Sequence, residues 1–133
     1  MEIRDLHASE RDAARRFLCS QGWEHRVGTE TEFAQLIENS QRTAVAVIKN
    51  EIVGFARAIT DGMSNGYLSM VAVAPAFRRR GIGRALIEHI TGTNKNITWV
   101  LRAGRENASE FFAKLGFAAS SIAMERVREH RDE

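Results

Sequence analysis

The feature that most constrains the fold is the stretch from Val71 to Leu86, VAVAPAFRRRGIGRAL, which changes character twice. It begins as an apolar run typical of a buried strand, and this run ends at Pro75, which has no N–H for a strand ladder. An arginine triplet follows, and Gly81 and Gly83 then open a segment with apolar residues at helical spacing. The order predicts a strand whose end lies close to the first turn of a helix.

The first turn of that helix is a predicted anion site. Backbone N–H groups at a helix N-terminus have no partner within the helix, and the helix dipole is positive there. Glycines leave room for a ligand to approach the backbone, and Arg78, Arg79 and Arg80 supply charge-assisted donors for phosphate oxygens. We therefore predict a polyphosphate site, although an arginine triplet alone also suits a solvated turn or a nucleic-acid patch.

Two common nucleotide motifs do not fit this stretch. A Walker A loop requires GxxxxGK[ST], and no glycine in the sequence has that context. A dinucleotide fingerprint requires a third glycine three residues after the second, where this chain has Leu86. Both nucleotide-binding folds are therefore disfavoured.

The remaining chain alternates predicted strands and helices. From the N-terminus we expect a strand at Glu2–Leu6, a helix capped by a Ser9–Asp12 box, a loop at Gly22–Gly28 and a helix capped near Thr29. A meander of three strands is then expected at Arg42–Ile48, Ile52–Ile59 and Tyr67–Val73, the last of which leads into the stretch described above. After it we expect a strand at Ile97–Leu101, a helix at Ala108–Leu115 capped by Gly116, and a strand at Phe117–Val127. This order predicts one α/β or α+β sheet with helices on both faces.

Composition limits the functional classes. The chain has 133 residues and a net charge of +2, so one domain spanning residues 1–133 is expected. The single cysteine, Cys19, cannot form an internal disulfide, and no metal-ligand spacing is present. No apolar run is long enough for a membrane span or a signal peptide, which predicts a cytoplasmic protein without a membrane or metal partner.

Two motifs at matched spacing then identify a family resemblance. The pattern R-x-x-G-x-G, formed by Arg78, Gly81 and Gly83 after a V-x-P strand end, resembles the acetyl-CoA motif of the GNAT family of N-acetyltransferases. The segment ASEFFAKLGF, at Ala108–Phe117, is similar to that family's last helix and following strand, and GFARAITDG, at Gly54–Gly62, resembles its third strand and turn. The resemblance covers about residues 42 to 120. It implies a GNAT fold, with a mixed, twisted sheet of six to seven strands flanked by about four helices.

The resemblance also implies how acetyl-CoA is bound. The pyrophosphate would lie on the backbone amides of Arg79 to Arg84, with Arg78 at the motif's Gln/Arg position, and the pantetheine arm would pair with the backbone of the preceding strand. Asn107 would contact the cofactor from the head of the last helix. The implied cofactor-binding residues are Val71, Ala72, Val73, Arg78, Arg79, Arg80, Gly81, Ile82, Gly83, Arg84 and Asn107.

The implied reaction is transfer of the acetyl group to a primary amine of a small molecule or peptide, by direct attack in a ternary complex. The tyrosine that the family often uses as acid is replaced by Phe112, and Val100 occupies the position of a glutamate found in some members. The catalytic residues therefore stay unassigned. Asp61 and Tyr67 are candidates, as are Glu24 and His25, and orientation alone can also supply much of the acceleration.

Two other functional classes stay open. A catalytically silent domain that binds coenzyme A as a sensor would account for Phe112 and Val100. A nucleic-acid binder is disfavoured because aromatic residues are not interleaved with the arginines. A homodimer is compatible with the family resemblance.

Overall fold

A computed structural model describes residues 1–129 of the chain. The chain divides into two compact units, Met1–Leu101 and Arg102–Glu133, which are described separately below. One domain over residues 1–133 stays a prediction. No helix in the described range is long and apolar enough to cross a membrane.

The first unit is built on a five-stranded sheet with the order β1-β2-β3-β4-β5. The strands are β1 (Glu2–Asp5), β2 (Arg42–Ile48), β3 (Glu51–Thr60), β4 (Asn65–Val73) and β5 (Thr98–Val100). The first four strands form an antiparallel meander, whereas β5 pairs with β4 in parallel. A parallel neighbour requires a crossover connection, and here a helix between β4 and β5 provides it.

Helices cover both faces of this sheet, as the sequence predicts. They are α1 (Arg11–Ser20), α2 (Glu24–Val27), α3 (Glu30–Glu38) and α4 (Ile82–Thr91). On one face, α1 to α3 enclose a core in which the rings of Phe33 and Phe55 are tilted with centroids 6.3 Å apart. The helix α4 lies on the other face, so the unit has three layers.

The contact between α4 and the sheet depends on a small residue. A Cβ at Gly54 of β3 would lie only 3.0 Å from Leu86 Cδ1 and 3.3 Å from Ile82 Cγ2. Both of these α4 side chains are buried. Gly54 therefore lets α4 approach the sheet closely, which positions the helix N-terminus beside the end of β4.

The second unit contains α5 (Ala108–Ala113). The helix ends at Ala113 with Lys114 as its C-cap, earlier than predicted, and Gly116 lies in the turn beyond it with a φ of +96°. The N–H of Phe117 then bonds back to the Phe112 carbonyl at 3.1 Å. The rings of Phe111 and Phe117 lie edge-on to Phe112, with centroids 5.0 and 5.7 Å away.

The strand count and the C-terminal segment differ from the prediction. The sheet has five strands instead of six to seven, and the described residues of Phe117–Val127 form no strand. The hydroxyl of Ser120 accepts hydrogen bonds from the N–H groups of Ile122 and Ala123, at 3.1 and 2.9 Å. This local turn competes with extended pairing.

Two local predictions in α1 to α3 were also wrong. Gly22–Gly28 contains the short helix α2, because the N–H groups of Arg26 and Val27 bond to the Trp23 carbonyl. A 3-10 turn at Ala8–Glu10 precedes α1, and there Glu10, not Asp12, accepts a bond of 2.9 Å from the His7 N–H. The chain thus has five helices in its described part. The predicted cap of α3 is confirmed, with Glu32 N–H donating to Thr29 Oγ1 at 3.1 Å.

Candidate functional site

A β-bulge in β4 is the first element of the candidate site. Phe55 of β3 is in register with Ala72, but Arg57 is in register with Ser69, so β4 has one extra residue in this interval. Met70 lies there with a φ of +54°, a left-handed conformation that is unusual for a residue with a side chain. A bulge bends its strand and increases the local twist.

Beyond this bulge, one edge of β4 is open. Within the described residues, β5 pairs only with Asn65, Gly66 and Tyr67. The Ala74 N–H bonds to Val53 in β3 at 2.8 Å, so by antiparallel alternation the backbone groups of Val73 point away from β3.

The same alternation turns the backbone of Val71 toward the open edge, whereas that of Ala72 faces β3. A ligand with amide groups could therefore pair with Val71 and Val73 as an added strand.

The turn from β4 to α4 leads from this open edge to the helix N-terminus. Pro75–Phe77 forms a 3-10 turn, and Gly81 then adopts a φ of +79° immediately before α4. A Cβ at Gly81 would meet nothing within 4 Å, so the space above it is open. The Ala85 N–H bonds to the Gly81 carbonyl at 3.0 Å, and the N–H groups of Ile82 and Gly83 precede the first bond of this kind in the helix.

The arginine triplet lies on this turn and is exposed. The Nε of Arg78 donates to the Val73 carbonyl at 3.0 Å, which joins the turn to the end of β4. The guanidinium of Arg80 lies over the ring of Phe77, with its Cζ 5.2 Å from the centroid. Helix dipole, N–H groups and guanidinium charge thus converge on one place, which is suited to a polyphosphate.

The structure gives the two catalytic candidates different environments. The Asp61 carboxylate accepts bonds from the N–H groups of Met63, Ser64 and Asn65, at 2.9, 2.8 and 3.1 Å. These bonds, together with the Ser64 hydroxyl, hold the pKa of Asp61 well below its usual range. Asp61 thus stabilises the β3–β4 turn and is a poor proton acceptor near neutral pH.

Tyr67, by contrast, is half-buried at the last pairing between β4 and β5, where it is in register with Ile59 and Val100. It therefore lies where β5 leaves β4. Of the two predicted candidates, only Tyr67 has a side chain that is not committed to a turn.

Arg57, in the middle of β3, was not predicted as a site residue. It is only 6% exposed, its Nη1 donates to the Ser40 hydroxyl at 3.0 Å, and its buried Nε has no hydrogen-bond partner. Burial lowers its pKa, and so does the positive charge of Arg26 in α2. The only signal in the sequence was an arginine inside the apolar run GFARAI.

The other predicted residues have the following environments. Asn107 precedes α5 in the second unit with a φ of +64°, and Phe112 is buried in the aromatic cluster of that unit. Val100 on β5 is 43% exposed, and Glu24 and His25 are exposed on α2. No group of three or more His, Cys, Asp or Glu side chains in residues 1–129 could hold a metal ion.

Comparison with known proteins agrees with this geometry. Residues 39–119 match the model of the acetyltransferase (GNAT) domain, which is more than half of the chain. The chain belongs to the GNAT acetyltransferase family. The resemblance stated from the motifs at Arg78–Gly83 and Ala108–Phe117 is therefore confirmed.

Two curated relatives of this GNAT chain carry different descriptions. The probable acetyltransferase TAP2 of Glycine max is 30% identical over 115 residues, which cover 77% of this chain and 46% of TAP2. The PanD regulatory factor of Salmonella typhimurium is 28% identical over 95 residues, which cover 68% of this chain and 74% of the factor. The chain thus spans about half the length of TAP2.

Solved structures show the same GNAT fold. An acetyltransferase of Trypanosoma brucei has a TM-score of 0.73 and 25% identity, and the alignment covers 96% of this chain and 99% of that one. A predicted acetyltransferase of Clostridium acetobutylicum, solved with acetyl-CoA, has a TM-score of 0.75 and 17% identity, with 97% and 99% coverage. The fold class predicted from the sequence is confirmed, apart from the strand count.

Proposed function

We propose that this GNAT protein transfers an acetyl group from acetyl-CoA to a primary amine of a small molecule or peptide, by direct attack in a ternary complex. The observation that carries the proposal is the continuous path from the open edge of β4 to the N-terminus of α4. An extended amide-containing arm fits the first part of this path, and a pyrophosphate fits the second.

The residues along the path have distinct roles in this proposal. Val71 and Val73 offer outward-facing backbone groups to the pantetheine amides, and Ala72 keeps the strand in register with β3. The amides of Arg79 to Arg84, including Ile82, bind the pyrophosphate, and the guanidinium groups of the triplet neutralise its charge. Asn107 stays a proposed cofactor contact.

Acetyl-CoA supplies an activated thioester: the amine nitrogen forms a bond to the carbonyl carbon as the carbon–sulfur bond breaks, and the amine proton balances the thiolate that leaves. The chain contributes orientation, which can account for roughly 7–11 kcal/mol of barrier reduction. Tyr67 is the side chain we propose as proton donor to the leaving sulfur, since Asp61 is held as a carboxylate by its turn.

The test combines binding and turnover. Calorimetry should detect acetyl-CoA and coenzyme A with micromolar affinity, and thiol release should follow with one member of a panel of amino acids, polyamines, aminoglycosides and peptides. Tyr67→Phe should lower kcat without changing acetyl-CoA affinity. Absence of any heat with both acetyl-CoA and coenzyme A would contradict the proposal.

A second candidate function is coenzyme A sensing without catalysis. Phe112 and Val100 occupy the positions of the family's usual acid and base, and one relative is described as a regulatory factor. Coenzyme A binding without thiol release for any amine in the panel would favour this second function.

A further inference from the structure

Arg57 is an arginine whose burial is not balanced by a negative charge. Among residues 1–129, no carboxylate forms an ion pair with it, and its one side-chain hydrogen bond goes to the neutral hydroxyl of Ser40. Its Nε is buried without a partner. A buried charge in this condition destabilises the fold, so a ligand that neutralises it is the simplest reason for its presence.

The environment of Arg57 attracts anions. Burial lowers the pKa of Arg57 most, the positive charge of Arg26 on α2 lowers it further, and Tyr67 acts in the opposite direction. The planar guanidinium of Arg57 can donate two parallel hydrogen bonds to a carboxylate, a geometry that the ammonium group of lysine cannot reproduce.

Arg57 is buried in the middle of β3, and its register partners lie close to the reacting end of the proposed site. Its partner in register is Ser69, between Tyr67, where β5 leaves β4, and the outward-facing backbone of Val71. One pairing further along the same face, Ile59 is 46% exposed, so this face of the sheet opens to solvent there.

The cofactor's phosphates would not satisfy Arg57. Alternation along β3 puts Arg57 on the same face as Phe55, toward α1 to α3, whereas Gly54 contacts α4 on the opposite face. The phosphates in the proposed function lie at the N-terminus of α4. No carboxylate in residues 1–129 is paired with Arg57, which leaves the second substrate as a source of its anion.

We infer that Arg57 binds a carboxylate of the acceptor, so that the substrates are amino acids or related amines that carry a carboxylate close to the amine. This inference rests on the proposed acetyl transfer. In an α-amino acid both groups are attached to one carbon. A carboxylate bound beside Ser69 therefore keeps the amine near Tyr67, where β5 separates from β4.

The experiment compares matched acceptors in a thiol-release assay with acetyl-CoA. The panel contains the twenty L-amino acids, the α-amide of each, and the amine of each that lacks the carboxylate. We expect at least one free acid to be acetylated with a kcat/KM tenfold or more above those of its amide and its decarboxylated amine. In Arg57→Met, the KM of that acid should rise at least tenfold while the KM of the decarboxylated amine stays within twofold.

Two controls separate the possible failures. Arg57→Lys keeps the charge but loses the paired guanidinium donors. Its KM for the acid should therefore lie between those of the wild type and Arg57→Met. Acetyl-CoA affinity, measured by calorimetry, should be the same in all three proteins. If acetyl-CoA does not bind, the proposed function fails.

If acetyl-CoA binds but the amides are acetylated as well as the acids, or Arg57→Met changes both classes of acceptor equally, the carboxylate inference is wrong. Should no amine release thiol, thermal shifts of the coenzyme A-loaded protein replace turnover. The free acids must then stabilise the wild type more than the amides do, and Arg57→Met must lose this difference. Equal shifts would overturn the inference.

Discussion

The turn around Arg78 and the interior around Arg57 both concentrate positive charge, but the first does so in solvent and the second inside the fold. The triplet at Arg78–Arg80 is exposed, so its charges are hydrated and cost little when no ligand is bound. Arg57 is only 6% exposed and has one neutral partner, so its charge is destabilising until an anion arrives.

The two regions therefore differ in whether the backbone or a side chain determines which ligand is bound. At the turn, the backbone supplies most of the geometry, because Gly81 has a positive φ and the first N–H groups of α4 are directed outward. At Arg57, the geometry belongs to one side chain fixed by packing. We therefore expect substitutions that block access to the backbone to have the largest effects on cofactor binding at the turn. At Arg57, we expect substitutions of the side chain itself to have the most selective effects on the acceptor.

The largest expected effect is that of Gly83→Asp, which places a carboxylate in the first turn of α4. Two unit charges about 4 Å apart near a protein surface repel by roughly 4 kcal/mol. Acetyl-CoA affinity should therefore fall by at least about 100-fold in calorimetry. A folded Gly83→Asp protein with normal affinity would show that the pyrophosphate is bound elsewhere.

Thr93→Asp is the matched control for this substitution. Thr93 is exposed just beyond the C-terminal end of α4, so the same charge is added near the opposite end of the helix from the proposed phosphates. Acetyl-CoA affinity should stay within about twofold of the wild type, because solvent and salt screen exposed charges at this separation. Equal losses in both variants would indicate a non-specific charge effect.

A smaller effect is expected for Arg78→Gln. The glutamine can still donate to the Val73 carbonyl, as Arg78 Nε does at 3.0 Å, but it lacks the charge. Loss of one exposed charge-assisted contact should weaken acetyl-CoA binding by about tenfold at low salt, with a smaller loss at high salt.

Arg16→Gln removes the same charge from α1, where the Arg16 side chain is 71% exposed, and should leave the affinity unchanged. A loss for Arg78→Gln that does not depend on salt would mean that Arg78 acts through the turn geometry and not through its charge.

The exposed region could be predicted from sequence because its signals are local. Pro75 ends a strand, glycines at Gly81 and Gly83 allow the turn and the approach of a ligand, and apolar residues at helical spacing define α4. Each of these signals acts within a few residues of its own position. The strand, the turn and the helix start were therefore predicted almost to the residue.

The interior region depends on contacts that sequence patterns do not encode. Arg57 is buried because β3 is central in the sheet, and Ser40 is brought to it from beyond the end of α3. The bulge at Met70 likewise has no turn residue to mark it.

The predicted strand at Phe117–Val127 failed for a related reason. Its composition favours extended structure, but the hydroxyl of Ser120 bonds to the following backbone N–H groups within a local turn.

The smallest expected effect is on the stability of Arg57→Met. This effect shows most directly whether the buried charge of Arg57 stabilises the fold. Methionine removes the cost of the buried charge and fills a similar volume, at the loss of one bond to Ser40. The free energy of unfolding in urea should change by less than about 1 kcal/mol, or should increase. The same substitution at Arg42 is the matched control.

Arg42 is also a strand arginine, but its Nη1 donates to the Ile90 carbonyl at 2.8 Å and its Cζ lies 5.6 Å from the centre of Trp99. Arg42→Met should therefore lose about 2 kcal/mol. A loss of that size in Arg57→Met as well would mean that both arginines serve the fold. A stable Arg57→Met with altered acceptor preference would mean that this buried charge serves the ligand.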